Sequence, residues 1–103
     1  MENIKVVTIC GSMRFKKQMM KITEELELEN GYVVIQCVYS DEDRKYEKSE
    51  KEMLSNLHYK KINMSDAIYV VNIDGYIGDA TKKEIDYARS LGKIILSLEP
   101  LKL

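Results

Sequence analysis

One glutamate stands where a helix would ordinarily carry an apolar side chain. Projected at about 100° per residue from Glu84, the segment after Gly78 places Ala88 at about 40°, Leu91 at about −20°, Thr81 at about 60° and Ala80 at about −40°. Lys82, Asp86 and Arg89 fall on the far side, so the helix has room for solvated charge and Glu84 is not part of it. A carboxylate facing a core costs desolvation unless something satisfies it, and such groups concentrate at functional sites. Two readings follow: a satisfied core acid, or a site residue. Its place in the early turns, near unpaired amides and the positive end of the helix dipole, favours the ionised form, which is a nucleophile or base rather than an acid.

Two glycine-bearing segments offer further candidates. Gly11-Ser12-Met13-Arg14-Phe15 brings a hydroxyl, a guanidinium and helix-start amides together, a common way to hold a phosphate, although serine there is equally a plain N-cap. Asn72-Ile73-Asp74-Gly75-Tyr76-Ile77-Gly78-Asp79 is the other, with Asp79 or Thr81 available as a cap. Asp74 and Asp79 are the nearest acids to protonate a leaving group. The phosphate loop G-x-x-x-x-G-K-[ST] and the dinucleotide turn G-x-G-x-x-G are absent, and Cys10 to Arg14 is too short for a cysteine-phosphatase loop. No metal-ligand spacing joins Cys10 and Cys37 to the one histidine, His58, so neither a metal nor another cofactor is expected. His58 and Tyr59 either line the pocket or lie partly exposed on a helix.

The elements that must position these residues follow from periodicity. Ile4–Cys10, Tyr32–Tyr39, Asp66–Ile73 and Lys93–Leu98 are short, β-branched and continuously apolar, as strands covered on both faces should be. Phe15, Met19, Ile22 and Leu26 recur at helical intervals from Met13 to Asn30 before Gly31. Met53, Leu54, Leu57 and Ile62 stripe a second helix after the polar stretch Ser40–Lys51, and a third runs from Asp79 to Leu91 before Gly92. Alternating strands and helices imply βαβ units with right-handed crossovers, hence an α/β, three-layer, Rossmann-like (flavodoxin-like) domain over residues 1–103 whose parallel four-stranded sheet has the order 2-1-3-4. In such sheets ligands bind beyond the strands' carboxyl ends, where neighbouring connections diverge, here between the first and third strands. Both glycine segments emerge there.

The chain is of one-domain length, and its 45% hydrophobic and 32% charged residues are those of an ordinary globular protein. Sixteen basic residues against 17 acidic ones leave no positive field for nucleic acid. No apolar run approaches membrane length and Met1–Lys5 carries no secretory pattern, so a cytoplasmic protein is expected, its cysteines packed as free core thiols.

The chain resembles the nucleoside 2-deoxyribosyltransferases and the related deoxynucleotide N-glycosidases, short relatives included. The resemblance covers nearly the whole sequence and rests on Cys10-Gly11-Ser12-Met13-Arg14, on Ser65-Asp66-Ala67-Ile68-Tyr69-Val70-Val71, and on the segment from Gly75 to Ala88. It implies that Glu84 is the nucleophile that attacks the anomeric carbon and expels the base. It also implies that Gly11, Ser12, Met13 and Arg14 hold the sugar or its 5′-phosphate, with Gly78, Asp79 and Thr81 completing a cradle to which Asn72, Gly75 and Tyr76 lead. Members of that family place an aspartate on the preceding helix to hold the sugar hydroxyl. Here that region reads Leu57-His58-Tyr59-Lys60-Lys61-Ile62-Asn63, so His58 or Tyr59 takes over, or the domain only binds its nucleotide. A pocket residue borrowed from a neighbouring subunit makes a homodimer the implied state.

Overall fold

A computed structural model describes residues 3–40 and 43–102. The elements are β1 (Val6–Gly11), a 3₁₀ turn (Met13–Phe15), α1 (Lys16–Asn30), β2 (Val33–Ile35), α2 (Lys48–Asn63), β3 (Ala67–Val71), a second 3₁₀ turn (Ile73–Gly75), α3 (Asp79–Ser90) and β4 (Ile94–Ser97). The sheet is wholly parallel in the order β2-β1-β3-β4, as the alternation of strand and helix predicts. This is a Rossmann-like, flavodoxin-like α/β fold. Among the described residues no helix is long and apolar enough to cross a membrane.

The period of two along the central strands divides the core into two layers. Ile9 and Val71 face Phe15, Met19, Ile22 and Leu26, so the 3₁₀ turn and α1 cover one side of the sheet. Cys10, Ile68 and Val70 face Ile62, Ile85 and Ala88, so α2 and α3 cover the other. On that second side the buried Thr8 hydroxyl meets the Ser65 hydroxyl, and both bond the Lys61 carbonyl, which ties the end of α2 to β1. Gly31 closes α1 at φ 69°, a left-handed conformation that glycine adopts without a Cβ clash. Gly11 answers a different demand, since a Cβ there would lie 3.2 Å from both the Val71 carbonyl oxygen and the Met19 sulfur.

Four expectations are corrected. The second strand stops at Ile35 instead of running to Tyr39. It is an edge strand, and beyond it the Lys61 ammonium takes the Gln36 carbonyl at 2.8 Å while Cys37 and Tyr39 turn back against the core. The segment starting at Met13 opens as a 3₁₀ turn, and the α-helix begins only at Lys16. The stripe on α2 is rotated: His58 and Ile62 are buried, whereas Met53 and Leu57 are exposed because the first half of α2 flanks a cavity instead of the sheet. Leu91 lies past the end of α3 and, like Ala80, is exposed, so Glu84 sits at the edge of a stripe made by Thr81, Ile85 and Ala88. Of the polar stretch from Ser40 to Lys51, positions 41 and 42 lie outside the described residues.

Candidate active site

A cavity of about 540 Å³ opens at the carboxyl ends of the central strands. Gly11, Ser12 and Met13 form its wall from the β1 side, and Gly78, Asp79, Ala80 and Thr81 form the wall from the start of α3. Helix α2 supplies a third wall through Lys51, Leu54, Ser55, Leu57, His58 and Lys61. Cys37, Val38 and Ser40, released from the sheet where β2 ends, complete the rim with Tyr46. The topological argument therefore locates the pocket correctly.

Of the residues singled out from sequence, Gly11, Ser12, Met13, His58, Gly78, Asp79, Thr81 and Glu84 line this cavity. Five others do not. The Arg14 guanidinium lies 3.7 Å from the centre of the Tyr76 ring, and that ring meets Phe15 edge-on, so Arg14 and Tyr76 form a stacked pair apart from the lining. Tyr59 packs edge-on against Tyr87 beside Ile62, with ring centres 4.9 Å apart. Asn72 donates from its amide nitrogen to the Glu99 carbonyl and accepts from the Glu99 N–H, both at 2.9 Å, which clamps the chain after β4. Gly75 and Asp74 belong with Asn72 to a separate depression beside Glu99, which takes Asp74 away from any leaving group in the cavity.

The capping alternatives are also settled. The Ser12 hydroxyl accepts from the Arg14 N–H at 3.3 Å and caps the 3₁₀ turn. At α3 the N-cap is Gly78, and among the described residues no side chain caps that end, so neither Asp79 nor Thr81 fills the role. Among the described residues the first turn of α3 has no side-chain cap on its amides, where the helix dipole favours negative charge.

Glu84, His58 and Cys10 converge at one point. The His58 Nε2 lies 3.4 Å from the Cys10 sulfur and 3.6 Å from the Glu84 Oε1. Cys10 and His58 are buried, and the Glu84 side chain is only 16% exposed. Burial raises the Glu84 carboxyl to about 7, against a smaller opposing effect of its contact with Cys10. The ionised form favoured by the helix start is thus overruled by desolvation. Burial, and secondarily the nearby Lys61 charge, lowers His58 to about 4, so its contact with Glu84 joins a neutral imidazole to a half-ionised carboxyl and is not an ion pair at neutral pH. Burial first, then the Glu84 charge, pushes the Cys10 thiol well up, and Cys37 rises to about 11 for the same reasons in the same order.

Both thiols are free, as expected. No sequence spacing joins the cysteines to His58, yet the fold brings Cys10 against His58 although 48 residues separate them in sequence. Two signals could have found this: the period of two places Cys10 on the sheet face that receives α2 and α3, and Leu54, His58 and Lys61 share a helical face at i, i+4 and i+7. The cavity contributions of Cys37, Val38 and Tyr46 had no such signal, since they depend on where β2 stops.

The sequence matches no protein-family model and no curated protein. Among solved structures it is similar to a conserved protein from Enterococcus faecalis V583, with a TM-score of 0.63 at 10% identity. That alignment covers 92% of this chain and 63% of the other, so the chain spans somewhat under two thirds of that protein's length. The likeness is one of fold.

Proposed function

We propose that this domain cleaves, or transfers at, the N-glycosidic bond of a deoxynucleoside or its 5′-monophosphate, with Glu84 as nucleophile. The observation that carries this reading is the position of Glu84: a largely buried carboxyl in a cavity bounded on one side by Gly11–Met13 and on another by the uncapped start of α3. The cavity volume suits a ligand of nucleotide size, and free amides at a helix start suit its phosphate.

In the first step a Glu84 carboxylate oxygen bonds to the anomeric carbon as the bond to the base nitrogen breaks, its electron pair leaving with the base. Asp79, which lines the same wall as Glu84, is the candidate that delivers a proton to that nitrogen. Water then attacks the anomeric carbon, giving a proton back to Asp79 as the bond to Glu84 breaks and its carboxylate is restored, or a second base attacks through its ring nitrogen in the same way and the reaction is a transfer. Dividing one difficult displacement into two lowers each barrier, and the carboxylate also stabilises the oxocarbenium-like charge.

Only ionised Glu84 can attack. Base release should therefore rise with pH as Glu84 ionises towards its value of about 7. The test is chromatographic release of free base from a panel of nucleosides and monophosphates. Glu84→Ala should abolish release, by roughly 10³-fold or more. Asp79→Asn should lower it by about 10²-fold, and an unchanged rate would remove Asp79 from the acid role.

A second reading, a module that binds a nucleotide without cleaving it, is favoured by one observation: α2 turns Leu57, His58 and Lys61 to the cavity and no carboxylate. Monophosphate binding by calorimetry with no release from any substrate would select it.

A further inference from the structure

The contact between Glu84 and His58 is made on the same ring nitrogen that meets Cys10. In a proton-relay triad the acid would bond the other nitrogen, Nδ1, and the histidine would pass the proton between its two sides. Here Nδ1 is buried without a hydrogen-bond partner among the described residues, and Nε2 faces both the sulfur and the carboxylate. The three side chains come from β1, α2 and α3, and their donor atoms all lie within 4.8 Å of one another. Nothing in a hydrogen-bonded relay requires three donors to share one focus. A metal ion does.

We propose that Cys10, His58 and Glu84 chelate a borderline-soft divalent cation, Zn²⁺ above all, beside the cavity floor. A tetrahedral ion with bonds of about 2.3 Å to sulfur, about 2.05 Å to nitrogen and about 2.1 Å to oxygen separates sulfur from nitrogen by about 3.6 Å and nitrogen from oxygen by about 3.4 Å. The corresponding distances here are 3.4 and 3.6 Å. The third side, sulfur to carboxylate oxygen, is within 4.8 Å here, against about 3.6 Å around such an ion. Thiolate, neutral imidazole and carboxylate together select Zn²⁺ over Mg²⁺ or Ca²⁺, which require oxygen shells. His58 and Glu84 line the cavity while Cys10 lies beneath them, so the ion is loaded from the cavity and keeps a fourth position for water or ligand.

Chelation replaces the Cys10 S–H bond by a sulfur–metal bond and releases that proton to solvent, together with any proton on Glu84. Two anionic ligands then neutralise the dication in a buried setting. The consequence for activity rests on the proposed function: a Glu84 oxygen held by the cation is not free to attack an anomeric carbon, so Zn²⁺ inhibits base release and substrate competes with it.

Metal binding is tested without reference to that reaction. The whole chain, stripped with a chelator and kept reduced, is titrated with Co²⁺ and then with Zn²⁺. The expected result is one ion per chain, a near-ultraviolet thiolate-to-cobalt band with visible bands of tetrahedral intensity, and their loss on Zn²⁺ addition. Cys10→Ser should remove the thiolate band, and His58→Gln and Glu84→Gln should each weaken binding at least about tenfold. Cys37→Ser should leave the thiolate-to-cobalt band in place, and circular dichroism of each variant reports whether it folds. A wild type that shows no cobalt spectrum and no zinc binding tighter than millimolar overturns the proposal, as does a band that follows Cys37 instead of Cys10. Base release that proceeds in a chain that does not bind zinc would sink this inference and leave the function standing. Zinc binding without base release would do the reverse.

Discussion

Glu84 is a group that folding makes harder to ionise, and stability must reflect it. Its carboxyl rises from 4.5 to about 7, so between those values the folded chain holds a proton that the unfolded chain has released. Stability from this residue is therefore complete below about pH 4.5, falls as pH rises towards 7, and is flat above, a loss of up to about 3 kcal/mol. His58 has the opposite sign. Lowered from 6.5 to about 4, it contributes stability that is complete above 6.5 and lost as pH falls to 4, so the two slopes offset one another across the interval they share. Glu84→Gln mimics the protonated form and should leave stability near wild type at pH 5 but raise it by up to about 3 kcal/mol at pH 8, as read by urea unfolding at the two pH values. Equal stabilities at pH 8 would mean that water reaches the carboxylate and solvates it. The helical projection sufficed to find Glu84, because one face of one helix is a local property. It did not show the rise in that carboxyl's value, because burial is set by β1 and α2, distant in sequence, and the contact of the core thiol Cys10 with His58 was hidden for the same reason.

At the level of elements, β1, β3 and α3 were legible because each is long enough and apolar enough for its own period to decide. The edge strand β2 was not. Tyr32–Tyr39 has uniform strand chemistry, yet pairing ends at Ile35, beyond which the Lys61 ammonium donates to the Gln36 carbonyl in place of a ladder N–H, and that choice belongs to α2. Asn72 misled in the same way. Its position at the end of β3 suits a ligand, but its amide holds both backbone groups of Glu99, and Leu101 then packs against the α2/α3 side of the core. Asn72→Ala should cost about 2 kcal/mol through the polar groups left unpaired, measured by thermal unfolding, with little effect on ligand affinity. Gly11→Ala should cost about 1–3 kcal/mol, because the added methyl presses on the Val71 carbonyl, which belongs to the central sheet and cannot move aside. It should also disturb the cavity wall that Gly11 forms, so both stability and ligand affinity are expected to fall.

At the scale of the whole molecule, the order β2-β1-β3-β4 decides most of what the chain can do, since it opens a crevice where the connections after β1 and β3 diverge. The short β2 widens that crevice by freeing Cys37 and Val38, and α2, packed on the sheet through Ile62, flanks it with Lys51, Leu54 and Leu57. The resulting cavity is incompletely covered. Met13, Val38 and Leu57 all line it, yet they are 37%, 49% and 40% exposed, an apolar rim around the polar groups within. We infer that a second copy covers this rim, which would both bury apolar surface and close the cavity against water. Light scattering at micromolar concentration should then return about twice the chain mass of 12.0 kDa. Leu57→Asp should return the single-chain mass with an unchanged circular dichroism spectrum, because Leu57 lies on the outer part of α2 and contributes to neither core layer. A wild type of single-chain mass would show that the cavity works uncovered, and the apolar rim would then belong to the ligand, facing a base or sugar ring instead of a neighbouring subunit.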